Sequence, residues 1–205
     1  MNHKRIVFIG DSITEWGRFE DEANIGENYV RVIRDYFAIS TPNQFPEIIN
    51  QGIGGNRITD LVARWQTDVI DLDPDIVSIS IGVNDVWRQL DNPEMDQVFP
   101  DQYEELLRHL IDQTQAETKA EIILMEPTII AEDVQSEGNQ KLKAYVDVVN
   151  QVGADYQLTV VPTYQAFINY LNSARPLPLT IDGVHMSTTG NALMAKTWLE
   201  TVVKK

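Results

Sequence analysis

The chain contains no cysteine. Disulfides and thiolate metal sites are thereby excluded. Histidine is scarce as well: His3, His109 and His185 are the only three. They stand far apart and none has a spaced partner, so the pattern of a histidine-based metal centre is missing. No apolar run approaches the roughly 18 residues that a membrane span requires. Basic residues are also few. Lys and Arg number 16 against 31 Asp and Glu, for a formal charge of −15. Such a surface repels phosphate backbones and anionic lipid, which speaks against nucleic-acid and membrane partners. A neutral small molecule meets no such barrier. After Lys4 and Arg5 the apolar stretch is only Ile6 to Ile9, too short for a signal-peptide core. The chain therefore reads as a mature, unexported protein.

What is present is apolar sequence in regular alternation. The apolar fraction is 43% over 205 residues, enough for a single domain, 1–205, with a sizeable core. No internal repeat, low-complexity stretch or linker interrupts it. Strands are predicted at 4–9, 46–50, 75–82, 120–127 and 158–162. Helices are predicted at 27–38, 57–70, 100–116, 137–155, 163–173 and 187–203. In 57–70, for example, Ile58, Leu61, Val62, Trp65 and Val69 keep the three-and-four spacing of a buried helix face. Short strands alternating with such helices predict right-handed βαβ units, hence an α/β fold with a five-stranded parallel sheet in three α/β/α layers. Strand order is not legible in this pattern.

In open parallel sheets, sites form beyond the carboxyl ends of the strands. Three polar motifs follow predicted strands directly: Gly10-Asp11-Ser12, the stretch from Asn50 to Asn56, and Gly82-Val83-Asn84-Asp85. A fourth, Asp182-Gly183-Val184-His185, precedes the last helix. Each has a plain reading and a chemical one. Ser12 is either an N-cap or a nucleophile displayed at a strand-to-helix turn. The 50–56 stretch is no dinucleotide fingerprint, because Arg57 stands where the last glycine belongs. It is either an ordinary connection or a loop whose glycines bring a backbone N–H to a ligand. Asn84 is either a turn residue or an uncharged side-chain donor. Asp182 is either a helix cap or, three residues before His185, the group that orients an imidazole base. Together, in chain order, the four supply the roles of acyl transfer: nucleophile, oxyanion donors, acid and base.

These residues resemble the SGNH hydrolase superfamily, the GDSL-type esterases. The resemblance rests on Ser12 in GDS, Gly55 in GIGGN, Asn84 in GVND and His185 in DGVH, and it runs from residue 6 to about 200. The absence of a G-x-S-x-G elbow agrees with it. The stretches 55–70, 81–95 and 122–127 are similar to a cytoplasmic acetylxylan esterase subgroup. The resemblance implies a flavodoxin-like strand order and a serine esterase that removes acetyl groups from xylo-oligosaccharides or related carbohydrates. It implies Ser12, Asp182 and His185 as the triad. Ser12, Gly55 and Asn84 would form the oxyanion hole, with no cofactor or metal, and the protein would be a homo-oligomer. Asp11, Trp87 and Arg88 are the candidates for substrate contact: a sugar ring stacks on the indole of Trp16 or Trp87 and Arg88 donates to its hydroxyls, or else Trp87 packs in the core or at a subunit contact. One departure stands out: the subgroup carries an aromatic directly before the aspartate of Asp-x-x-His, and here that residue is Ile181. Two other readings remain open at this point, a short-chain acyl esterase or lysophospholipase-like hydrolase, and a non-catalytic carbohydrate-binding protein on the same fold.

Overall fold

Strand β1, Arg5–Gly10, is buried at every position after Arg5. It is the centre of the molecule, because it is hydrogen-bonded in parallel to two other strands. The structure, a computed structural model, describes residues 4–174 and 177–203; His3 lies outside them. The remaining strands are β2 (Glu47–Gly52), β3 (Ile76–Ser80), β4 (Glu121–Met125) and β5 (Thr159–Val161). All pairings are parallel and the order is β2-β1-β3-β4-β5. This is the flavodoxin-like order, with its switch point between β1 and β3.

Among the described residues, eight α-helices connect and follow the strands: α1 (Ser12–Glu15), α2 (Tyr29–Ser40), α3 (Ile58–Asp68), α4 (Val83–Asp91), α5 (Pro100–Glu117), α6 (Glu137–Asp155), α7 (Thr163–Leu171) and α8 (Thr188–Val202). Helix α2 packs with α8, and α8 with α7, while α3 packs with α5, and α5 with α6. Right-handed crossovers put the α2–α8 pair on one face of the sheet and the α3–α5–α6 row on the other. That burial on both sides explains why β1 and β3 are apolar almost throughout rather than alternating. Trp198 of α8 shows how the layers lock. It is fully buried, its ring lies 5.4 Å from Phe8 and 6.4 Å from Phe37, and its indole N–H donates to Ser78 at 3.1 Å.

The predicted helix at 137–155 is found at those limits, and the other predicted elements are found with ends moved by a few residues. Two helices were not predicted, α1 and α4. Both are shorter than the window over which apolar periodicity can be read. α1 begins at the strand-to-helix turn that the sequence marks at Ser12, and α4 at the Gly82–Asp85 turn. Each of these two helices carries part of the site.

Candidate active site

The turn after β1 settles which residue caps and which is displayed. Asp11 is the N-cap of α1, and its Oδ1 accepts the Ile13 N–H at 2.9 Å. Ser12 is therefore released from capping, and its Oγ lies 2.9 Å from His185 Nε2. Gly10 is dictated by space. A Cβ there would stand 2.4 Å from both the Ser80 carbonyl and the Thr14 hydroxyl, so the strand could not enter the turn so tightly with any side chain.

His185 arrives on a loop before α8 that is held at several points. The Ile181 N–H donates to the His185 carbonyl, and the Ala131 N–H to the Gly183 carbonyl. Glu132 Oε1 accepts the N–H groups of Leu179 and Thr180 and the Thr180 hydroxyl at 2.7, 2.7 and 2.9 Å. Gly183 sits at φ +97°, a conformation that favours glycine. Within this loop Asp182 Oδ1 accepts from the N–H groups of Val184 and His185, and Oδ2 stands 2.6 Å from His185 Nδ1. Burial acts upward on the Asp182 carboxyl, but the hydrogen bonds from His185 and the two backbone N–H groups outweigh it and hold it below the usual range. Its charged form thus persists beside the imidazole. Glu132 is 47 residues from the segment it anchors, and no local signal in the sequence marks it.

Gly55 lies on the loop between β2 and α3 at φ +79° with open space around it. Its requirement is conformational rather than steric. Asn84, in the first turn of α4 and 6% exposed, donates one amide N–H to the Asn56 carbonyl at 3.0 Å. The neighbouring Asp85 is completely buried, and its carboxyl oxygens accept the Ile58 N–H, at the start of α3, at 3.2 and 3.3 Å. The Asn84–Asp85 pair thereby ties the α4 turn to the loop that carries Gly55. Arg64 gathers the same region from below. It donates to the carbonyls of Gly10 and Gln51 at 2.9 Å each and to Asn56 Oδ1 at 2.8 Å. Burial pushes Asp85 up to about 7, against opposing pulls from the Ile58 N–H and Arg57. Burial likewise pushes Asp11 up to about 6, against the Ile13 N–H and the nearby His185.

Ser12, Gly55, Asn84, Asp182 and His185 line one cleft of about 560 Å³, within the range of small-molecule sites. Trp87 and Arg88 line it too, but both are already engaged by Asp91. The Trp87 indole N–H donates to that carboxylate at 2.6 Å, and an Arg88 nitrogen stands 2.9 Å from it. Asp11, expected among substrate contacts, is 2% exposed and occupied with the cap, and the structure places it beneath the cleft rather than in its wall. Trp16 is the residue whose place the sequence left open. Its ring stacks at 4.8 Å and 36° on the His185 imidazole, and it forms part of the cleft wall. A hydroxyl hydrogen-bonded to an imidazole that is itself paired with a carboxylate is an arrangement able to attack a carbonyl.

The fold and the cleft define the class, and comparison with known proteins agrees with them. Residues 8–193 match the GDSL-like lipase/acylhydrolase family, and the chain belongs to that family; it is a carboxylic ester hydrolase. It is 37% identical to the acetylxylan esterase of Geobacillus stearothermophilus, over 97% of this chain and 94% of that one. The crystal structure of that esterase superposes with a TM-score of 0.90, covering 98% of this chain and 94% of the other. An alpha/beta hydrolase enzyme from the metagenome of Lake Arreo, 33% identical over 98% of this chain and 95% of its own, superposes with the same TM-score of 0.90. Forms of the Geobacillus enzyme in which a serine, an aspartate or a histidine is replaced by alanine are described as catalytic mutants. That aspartate and histidine are three positions apart, as Asp182 and His185 are here. A further form replaces the tryptophan directly before the aspartate by isoleucine, the residue type this chain carries at 181.

Proposed function

We propose that the protein is a serine esterase that removes acetyl groups from xylo-oligosaccharides through a Ser12–His185–Asp182 triad. The observation that carries this reading is the continuous relay from Ser12 Oγ to His185 Nε2 at 2.9 Å and from His185 Nδ1 to Asp182 at 2.6 Å. His185 takes the Ser12 proton as Oγ attacks the ester carbonyl. The N–H groups of Ser12 and Gly55, with the second amide N–H of Asn84, receive the oxyanion. The tetrahedral species collapses, the C–O bond to the sugar breaks, and the sugar oxygen leaves with the proton from His185. Water, deprotonated by the same imidazole, then attacks the acetyl-serine, and Ser12 regains its proton as acetate departs. Asp182 holds the imidazole in the tautomer that leaves Nε2 free to accept a proton, and it stabilises the imidazolium.

The preference for an acetylated carbohydrate is supported by the relationship to an acetylxylan esterase over nearly the whole chain. It is also supported by a neutral ligand's freedom from the repulsion that the net charge of −15 imposes on anions. Two measurements test the reading. A fluorophosphonate is expected to label the wild type at Ser12 and to leave Ser12→Ala unlabelled; equal labelling of both would refute the nucleophile. Acetate release from acetylated xylo-oligosaccharides, set beside esters of longer acyl chains, tests the substrate class. Faster turnover of the longer esters would make the protein a general acyl esterase instead.

A further inference from the structure

Beside the cleft, on the far side of Trp16, lies a second cavity of about 570 Å³ between the start of α2 and the start of α8. Trp16 lines both cavities, and its stack on His185 fixes which part of a substrate would pass it. In ester hydrolysis the leaving alcohol collects its proton from the imidazole, so the alcohol half of the substrate lies on the His185 side and the acyl half lies towards the oxyanion donors. A sugar chain continuing from the scissile oxygen therefore runs along Trp16 and into this second cavity.

The lining fits a sugar. Trp16, Ile181 and Met186 offer apolar surface to the C–H faces of a pyranose. Asn191 of α8 is only 7% exposed, yet its Oδ1 has no hydrogen-bond partner. A buried amide is ordinarily satisfied, and Asn191 is one of the residues that line the cavity. The cation in the wall does not call for an anion. Arg31 is already paired with Asp21 at 2.5 Å and donates to the Gly26 carbonyl, and Glu27 in the same wall adds negative charge. The ligand chemistry is thus uncharged, hydroxyl-bearing and partly apolar.

We propose that this cavity is a subsite for a second, unreacted sugar residue of a neutral oligosaccharide, with Asn191 as its buried polar contact and Trp16 as the wall shared with the catalytic cleft. The proposal rests on the reading that the substrate is an acetylated oligosaccharide. It makes the enzyme a discriminator of chain length as well as of acyl group.

The test compares wild type, Asn191→Leu and Thr188→Met on three substrates: p-nitrophenyl acetate, acetylated xylose and acetylated xylotetraose. Leucine removes the amide at similar volume, and methionine at the exposed rim residue Thr188 extends into the same cavity. The wild type is expected to favour the tetraose over the monosaccharide. Each variant is expected to keep its turnover of p-nitrophenyl acetate, which also reports that it is folded, and to lose about five- to tenfold in kcat/KM on the tetraose through KM, the scale of one lost hydrogen bond. Should either variant lose the small-ester activity, the other decides. Unchanged kcat/KM on the tetraose in a folded variant overturns the subsite. A wild type that hydrolyses p-nitrophenyl acetate but releases no acetate from either sugar overturns the carbohydrate reading, and the subsite with it.

Discussion

At the scale of single residues, the turn after β1 divides two tasks between neighbours. Asp11 caps α1 and Ser12 faces the imidazole. Sequence alone leaves Ser12 balanced between cap and nucleophile, because both residue types are good caps. Backbone conformation decides it, since the cap residue must be extended and Asp11 is, at φ −97° and ψ −152°. Asn84 is the other residue whose meaning depends on its place. One of its amide hydrogens is used on the Asn56 carbonyl, and the proposed mechanism assigns the second to the oxyanion. Asn84→Ala is expected to lower kcat by about 100- to 1,000-fold with little change in KM, the usual cost of removing one such donor. Steady-state kinetics on p-nitrophenyl acetate checks this. Gly55→Ala would force a left-handed φ of +79° on an L-residue, at about 1–2 kcal/mol. The loop is expected to relax away from that geometry, so kcat should fall more than the thermal midpoint does, as paired activity and unfolding measurements would show.

At the scale of elements, the polar ends of strands and the starts of helices converge at the carboxyl end of the sheet. The sequence motifs mark all four convergence points, because a turn residue that does chemistry is still a turn residue in sequence. The bonds that hold those points together are not marked. Asp85 on α4 holds the start of α3, Arg64 on α3 ties the ends of β1 and β2, and Glu132 secures the segment before Asp182. These partners come from separate stretches of chain, and local propensity carries no record of them. The Asp85 contact has a measurable consequence. Its carboxyl titrates near 7 when folded, against an ordinary value of 3.8. The folded state therefore binds this proton more tightly than the unfolded chain does. The stabilising contribution is full below about pH 4 and is lost as pH rises through about 7, by on the order of 4 kcal/mol. Asp85→Asn cannot titrate. The thermal midpoint of the variant relative to wild type is expected to shift in the variant's favour from pH 5 to pH 8. Taking that difference cancels the opposing contributions of Asp21, Asp155 and Asp182, whose carboxyls the fold holds low. A pH-independent difference would contradict the burial of an ionisable Asp85.

At the scale of the whole molecule, a net charge of −15 sits on a chain of 205 residues and repels itself in the compact state. Modest salt screens this repulsion over about 10 Å at 0.1 M. The thermal midpoint is expected to rise between 10 and 200 mM sodium chloride, as a fluorescence melt at constant pH would measure; a fall would mean that ion pairs such as Arg108 with Glu104 and Asp155 outweigh the repulsion. Among the described residues no helix is long and apolar enough to cross a membrane. The parallel sheet and its two helical faces were legible in sequence because burial on both sides leaves nearly continuous apolar strands, and amphipathic helices such as α3 and α6 carry a clear period. The short helices α1 and α4 were not, since each draws its stability from its neighbours, β1 and β2 for α1 and α6 for α4, rather than from its own pattern.

The sequence by itself determined the alternation of strand and helix, the chemical types available at each strand end, and the exclusion of thiolate chemistry. Those follow from residue identity and near-neighbour spacing. Only the tertiary structure decided that Ser12 and His185, 173 positions apart, share a hydrogen bond, that Asp11 lies beneath the cleft, and that Trp16 stands between the imidazole and a second cavity. These are distances between remote parts of the chain, and they arise when the sheet closes its core and brings its loops to the carboxyl ends of its strands.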